Sequence, residues 1–195
     1  MATVSKANLC EVTTNICQGD VFRDVKYSYI DAEGDETVEI VEFTFPMAII
    51  ISQACDVNSM GEMVTEQSGK ATKFMPSILL CPIYDVDVAK KTEHVNDALS
   101  TLHINKLDGS KDVLFNSGEF GLAKNDWHYR YHALTVKIGK DTVLENTMID
   151  FKHYFSVPAS YLIKNREKRL FHLDDLFAEQ ITLKFATYLS RVAIP

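Results

Sequence analysis

The first clear pattern in the chain begins at Gly19-Asp20, after which Val21, Val25, Tyr27 and Tyr29 recur at even spacing among polar neighbours. Strand side chains point alternately to two faces, so this spacing predicts a half-buried strand over 21–30. Asp31-Ala-Glu-Gly-Asp35 reads as an acidic turn. Val38, Ile40, Phe43 and Phe45 supply the apolar faces of a second strand over 37–45, and a hairpin over the turn is the simplest pairing. Pro46 has no N–H to give to a ladder and is expected to end that strand. Met47 to Ile51 is then an unbroken apolar run ending in three isoleucines, the composition of a strand buried on both faces at the centre of a sheet.

Farther along, Ser77 to Tyr84 carries Ile78-Leu-Leu-Cys81 and predicts another buried strand. Residues 58–73 are rich in Gly, Ser, Glu and Lys without periodicity, as in a surface loop. Val88, Val95, Leu99 and Leu102 have the spacing of a surface helix over 85–102. Alternation returns at Trp127, where Trp127, Tyr129 and Tyr131 would line one strand face and His128, Arg130 and His132 the other. Residues 135–138 and 143–151 flank Gly139-Lys-Asp141, a hairpin turn. Leu173, Phe177, Ile181, Phe185 and Leu189 repeat every fourth residue, an apolar stripe on a C-terminal amphipathic helix that Asp174 or Asp175 can start. These elements predict an α+β fold: a small antiparallel β-barrel or rolled sheet with a surface helix and that final helix against it. No repeat or linker divides the chain, and one domain over 1–195 is expected.

Composition narrows the classes. Hydrophobic residues are 46% and charged residues 24% of the chain, enough apolar surface for an ordinary core. A net charge of −7 disfavours a protein whose main surface tracks a phosphate backbone, although a local basic patch is compatible with it. Met1 to Leu9 is polar, unlike a secretion signal, and the nearly apolar run 45–51 is far shorter than the ~20 residues a bilayer requires. The expected location is the cytoplasm, with no membrane span, and Cys10, Cys17, Cys55 and Cys81 are expected as thiols. Neither GxxxxGK[ST], GxGxxG nor GxSxG occurs, and paired metal-ligand spacings are absent, so no cofactor or metal is expected.

Candidate chemistry concentrates in two places. Ser52-Gln-Ala-Cys-Asp56 follows the most buried strand, so Cys55 is a candidate nucleophile and Asp56 a candidate orienting group, with Ser52 and Gln53 as binding residues. The structural alternative has Ser52 and Asp56 satisfying turn donors while Cys55 packs inward. In the 127–132 segment His128 is the candidate base, and Arg130 and His132 offer a cationic face. That face equally suits a plain solvated strand. Lys164-Asn-Arg-Glu-Lys-Arg169 reads as a basic connector, His153 and His172 as structural or solvent-facing, and Arg191 as a cation at a helix end.

Gln18-Gly-Asp-Val-Phe22, Ile50-Ile-Ser-Gln-Ala-Cys-Asp56 and Lys184-Phe-Ala-Thr-Tyr-Leu-Ser-Arg-Val-Ala-Ile-Pro195 together resemble a family of uncharacterised bacterial proteins. That family pairs a GDV-F entry with an SQ-x-CD motif and an FA-x-Y-x-x-R-V-x-x-P end. The opening is also distantly similar to the SH3-like barrels of MazF/PemK and CcdB toxins. Phe45-Pro46 stands where MazF-type enzymes have Arg-Pro, so the resemblance implies the barrel and not the ribonuclease residues. The closer resemblance implies an accessory protein-interaction module of a bacterial defence or stress system, partnered by another protein such as an ATPase or nuclease encoded nearby. The exposed side of the last helix could host a homodimer contact. The alternative is a nucleic-acid-acting or thiol-dependent enzyme, a toxin-like nuclease using Cys55, Asp56 and His128.

Overall fold

The structure is a computed structural model that describes residues 4–9, 15–33, 37–57, 75–90 and 117–191. The predicted loop 58–73, most of the predicted helix 85–102, the tip of the acidic turn and Cys10 lie outside these residues. The fold is α+β, with one eight-stranded sheet. Its strands are β1 (Val4–Asn8), β2 (Asp20–Glu33), β3 (Thr37–Ile50), β4 (Ser77–Asp85), β5 (Tyr131–Ile138), β6 (Asp141–Asp150), β7 (Phe155–Pro158) and β8 (Arg169–Leu173). Among the described residues the helices are α1 (Val86–Lys90), α2 (Ser117–Lys124), α3 (Ala159–Lys164) and α4 (Asp175–Leu189). Among the described residues no helix is long and apolar enough to cross a membrane.

The strand order is β3-β2-β8-β1-β5-β6-β4-β7, and β4 also pairs with β3, so the ladder closes on itself. Closure leaves few open edges for pairing with other chains. Among the described residues all ladders are antiparallel except β1 with β5, which departs from a wholly antiparallel sheet. Strands β1 and β8 join opposite ends of the chain between β2 and β5. Neither was legible as a strand, because each is five residues long and owes its pairing to distant partners.

Pro46 does not end its strand. β3 continues from Thr37 through Ile50, joining the two predicted strands into one. The pairing runs Arg23 with Met47 and Val25 with Phe45, skipping Asp24 opposite Pro46, and Asp24 takes φ 49° there. The proline therefore sits where the ladder asks for no N–H.

Alternate residues of the same strands serve two cores, which is what strand geometry imposes on a sheet covered on both faces. Val21, Ile49, Ile83, Ile149 and Phe171 belong to one, and α4 closes it with Ala178, Ile181 and Phe185. Phe22, Ile50, Leu80 and Met148 belong to the other, which α3 covers with Ala159 and Leu162. Burying a side chain such as Ile181 or Phe185 contributes about 1.5–3 kcal/mol, so the stripe fixes which face of α4 meets the sheet. Gly19 makes the close approach possible. Its φ is 86°, and a Cβ there would lie 2.6 Å from the Cβ of Ala178.

Candidate functional site: the cleft beside the last helix

The 127–132 segment differs from the predicted alternating strand. β5 starts only at Tyr131, and residues 127–130 form a turn in which Trp127 is 77% exposed, Tyr129 is exposed and His128 is buried. The cause is local. His128 Nδ1 accepts the backbone N–H groups of Arg130 at 3.1 Å and Tyr131 at 3.0 Å, which bends the chain and inverts the expected faces. An Nδ1 that accepts two N–H bonds carries no proton, so the neutral ring bears its hydrogen on Nε2. His128 thus acts here as a turn anchor, and its Nδ1 lone pair is committed to the backbone rather than offered to a substrate.

The turn builds a column of flat groups. The Arg191 guanidinium lies 3.5 Å from the centroid of Tyr129, whose ring stacks on His128 with centroids 4.9 Å apart and planes 17° apart. His128 in turn meets Tyr131 at 4.8 Å, and Arg130 covers Tyr131 at 4.6 Å. The column ends in a guanidinium at each extremity. Arg191 lies just past the end of α4, so its placement comes from stacking on Tyr129, beyond the helix-end role read from the sequence.

Arg130 is held from below. Its Nε and Nη2 donate to Oδ1 and Oδ2 of Asp150 at 2.8 and 2.7 Å, the bidentate geometry that suits a guanidinium and a carboxylate. Asp150 has no exposed surface, and it also accepts Lys152 N at 3.0 Å while His153 Nδ1 lies 3.0 Å from Oδ2. Burial, with the Arg130 and Lys152 cations, outweighs the Asp150 charge and holds the His153 pKa below its ordinary value. His153 therefore donates to Asp150 as a neutral ring.

On the other flank Asp126, with φ 64°, ends the turn after α2. Its Oδ1 accepts from His132 Nδ1 at 3.1 Å and from the Lys184 ammonium of α4. The His132 bond and then the Lys184 cation hold the Asp126 carboxyl well below the usual carboxylate range.

Two adjoining clefts open over this framework. One, of about 610 Å³, is walled by Trp127, His132, Ile181, Leu183 and Lys184 among others. The second, of about 550 Å³, is lined by Arg130, Lys152, Tyr154 and Leu189. Tyr129, Tyr188 and Arg191 border both. Among the described residues Asp126, neutralised by its partners, is the single acidic group on either lining.

Ser52 to Asp56 sits elsewhere. Ser52 Oγ accepts Leu79 N at 2.9 Å, and Gln53 O accepts the N–H groups of Asp56 and Val57, starting a helical turn. Cys55 is exposed rather than packed inward, its thiol 3.8 Å from Gln53 Oε1 and 3.7 Å from Asp56 Oδ1. None of these residues lines either cleft. The structure gathers His128, Arg130, His132 and Arg191, and it places Ser52, Gln53, Cys55 and Asp56 apart from them. Among the described residues no group of three His, Cys, Asp or Glu side chains is placed to hold a metal ion.

The motif segments meet through Gln18. Its Oε1 accepts Ala54 N at 3.1 Å and its Nε2 donates to Thr182 Oγ1 of α4 at 2.6 Å. Asp20, also fully buried, accepts from Cys17 N at 2.8 Å and Arg169 Nη1 at 2.9 Å, with His172 Nδ1 at 3.0 Å. Arg169, read as part of a basic connector, is thus 2% exposed and paired. The sequence reading missed Asp126, Asp150, Lys152, Tyr154, Lys184 and Tyr188. Only the open Trp127-Tyr129 pair, next to two cationic positions, could have pointed to the cleft. No known protein family matches the chain, and no curated protein or solved structure matches it significantly.

Proposed function

We propose that this chain is an accessory binding module, and that it holds an anionic partner in the paired clefts beside α4. The observation that carries the reading is the concentration of Arg130, Lys152 and Arg191 with three tyrosines in one cleft, where among the described residues no acidic residue is on the lining and Asp150 lies buried beneath Arg130, in a chain of net charge −7. Among the described residues the buried Asp150 is paired with Arg130 and His153, and Lys152 and Arg191 present exposed cations on the cleft lining. The Tyr188 phenol is protonated at neutral pH, burial raising its pKa further, so its hydroxyl can donate toward an anion. Placement in a bacterial defence or stress system, in the cytoplasm and beside an ATPase or nuclease, belongs to the same proposal and rests on the motif resemblance. The closed sheet supports reading the scaffold as a barrel, with the SH3-like comparison part of the proposal.

Trp127 is the one tryptophan and lines the wider cleft, so its emission reports occupancy. Titration with inorganic polyphosphate is expected to change that emission in a salt-dependent way, and the double variant Lys152→Ala, Arg191→Ala to abolish the change. No response from the wild type at low salt would refute the reading. Co-purification with the products of neighbouring genes tests the accessory role.

A second reading, an enzyme working through Cys55 and Asp56, is favoured by the exposed thiol beside that carboxylate. It requires that Asp56→Ala abolish cleavage of RNA or DNA in the presence of Mg²⁺.

A further inference from the structure

The two clefts differ in chemistry, and the difference specifies a ligand with two parts. The smaller cleft offers cations and phenol hydroxyls, the donors that a phosphate accepts from. The larger offers a 77% exposed indole, with Ile181, Leu183 and Tyr188 around it, which is a surface for a flat ring rather than for a charge. Tyr129 already stacks on His128 and has the Arg191 guanidinium over its ring, whereas Trp127 is the more exposed ring, so the stacking surface offered to a ligand is Trp127. Tyr129, Tyr188 and Arg191 form the wall common to both compartments, so a ligand spanning them has its ring and its anion covalently adjacent.

We infer that the clefts bind a nucleotide unit, its base against Trp127 and its phosphate among Arg130, Lys152 and Arg191, as part of single-stranded nucleic acid or as a free nucleotide. This inference rests on the anion-binding reading above and names its ligand. Base stacking on aromatic side chains beside a cationic groove is how single strands are held without sequence readout. A paired duplex keeps its bases stacked inside and has none to offer Trp127. The net charge of −7 is compatible with such a site, because at physiological salt charges farther than about 8 Å are largely screened and the nearby cations set the local field. Asp150 makes Arg130 rigid, while Lys152 and Arg191 supply the charge left over for the phosphate.

The test uses the full chain with single-stranded oligo-dT and oligo-rU of about 12 nucleotides, AMP, and inorganic polyphosphate, followed by anisotropy at two salt concentrations and by Trp127 emission. Oligonucleotides are expected to bind at least about tenfold more tightly than polyphosphate of equal charge, the contribution of stacking. Trp127→Ala, read by anisotropy, should remove that advantage and leave the salt dependence intact. Arg191→Ala or Lys152→Ala should weaken binding and lower the slope against log salt by about 0.7 per phosphate contact. Lys140→Ala, in the exposed β5–β6 turn, should change neither. AMP binding as tightly as the oligomers assigns the site to free nucleotides; a large preference for the oligomers assigns it to strands. Polyphosphate binding as well as the oligonucleotides, or Trp127→Ala without effect, overturns the nucleotide inference while leaving anion binding standing. Binding of a neighbouring gene's protein through these residues, with no oligonucleotide or AMP binding, also overturns it.

Discussion

Asp20 and Asp150 are both fully buried, and each holds one arginine and one histidine, yet they serve different parts of the molecule. Around Asp20 the arginine is sealed: Arg169 is 2% exposed, and its Nη1 also donates to Asn15 O at 2.9 Å. That cluster pins the segment before β2 to β8. Around Asp150 the arginine is 13% exposed, and its outer surface reaches the cleft between Tyr129 and Lys152. The same three residue types therefore make a fastening in one place and the floor of a binding surface in the other. What separates them is whether the far side of the guanidinium meets protein or an opening.

The largest expected effect removes either carboxylate. Asp20→Ala and Asp150→Ala each strand a buried cation, which costs about 3–5 kcal/mol in denaturant unfolding. The comparison sharpens if polyphosphate binding, measured where both variants remain folded, falls with Asp150→Ala and not with Asp20→Ala. Equal losses of binding would break the distinction.

Gly19→Ala, next to Asp20, is expected to cost about 2 kcal/mol or more, because it forces a side chain to φ 86° and into Ala178. Its thermal midpoint should fall while the cleft cations stay in place.

Arg130→Lys loses the two-point bond to Asp150 that a guanidinium makes and an ammonium cannot. A cost of about 1 kcal/mol is expected from unfolding curves. No cost would show that the fork at Asp150 is not what holds the platform.

The smallest effects have opposite signs with pH. The Asp20 bond, against some burial, raises the His172 pKa above 6.5, with Asp175 adding to it. Its stabilisation is complete below the unfolded-state value near 6.5 and is lost as pH rises through the higher folded value. His172→Gln should therefore cost most at about pH 5 and least at about pH 9. The His153 pKa is lowered by burial, with Arg130 and Lys152 opposing Asp150, so acidification below about 6.5 protonates the unfolded chain first and destabilises the fold. His153→Gln should lose less stability than the wild type as pH falls, and urea midpoints measured against pH for both variants would reveal matching signs if the two centres were equivalent.

Sequence alone specified much of the scaffold. The alternation in 21–30 and 37–45, the buried run at 47–51 and the stripe from Phe177 to Phe185 identify their elements because burial of a periodic apolar face is a local property, readable one residue after another. Tertiary structure decided the rest. His128 turned inward because backbone N–H groups two and three residues away needed an acceptor, and those bonds overrode the period-two pattern. Pro46 stayed within β3 because its rung opposite Asp24 was left out of the ladder. Above all, the cleft gathers Trp127, Arg130, Lys152, Lys184 and Arg191 from a turn, a strand end and the last helix. Charge and aromatic character are written at each position, but their convergence depends on the closed sheet and on α4 lying against it, and no linear spacing encodes that.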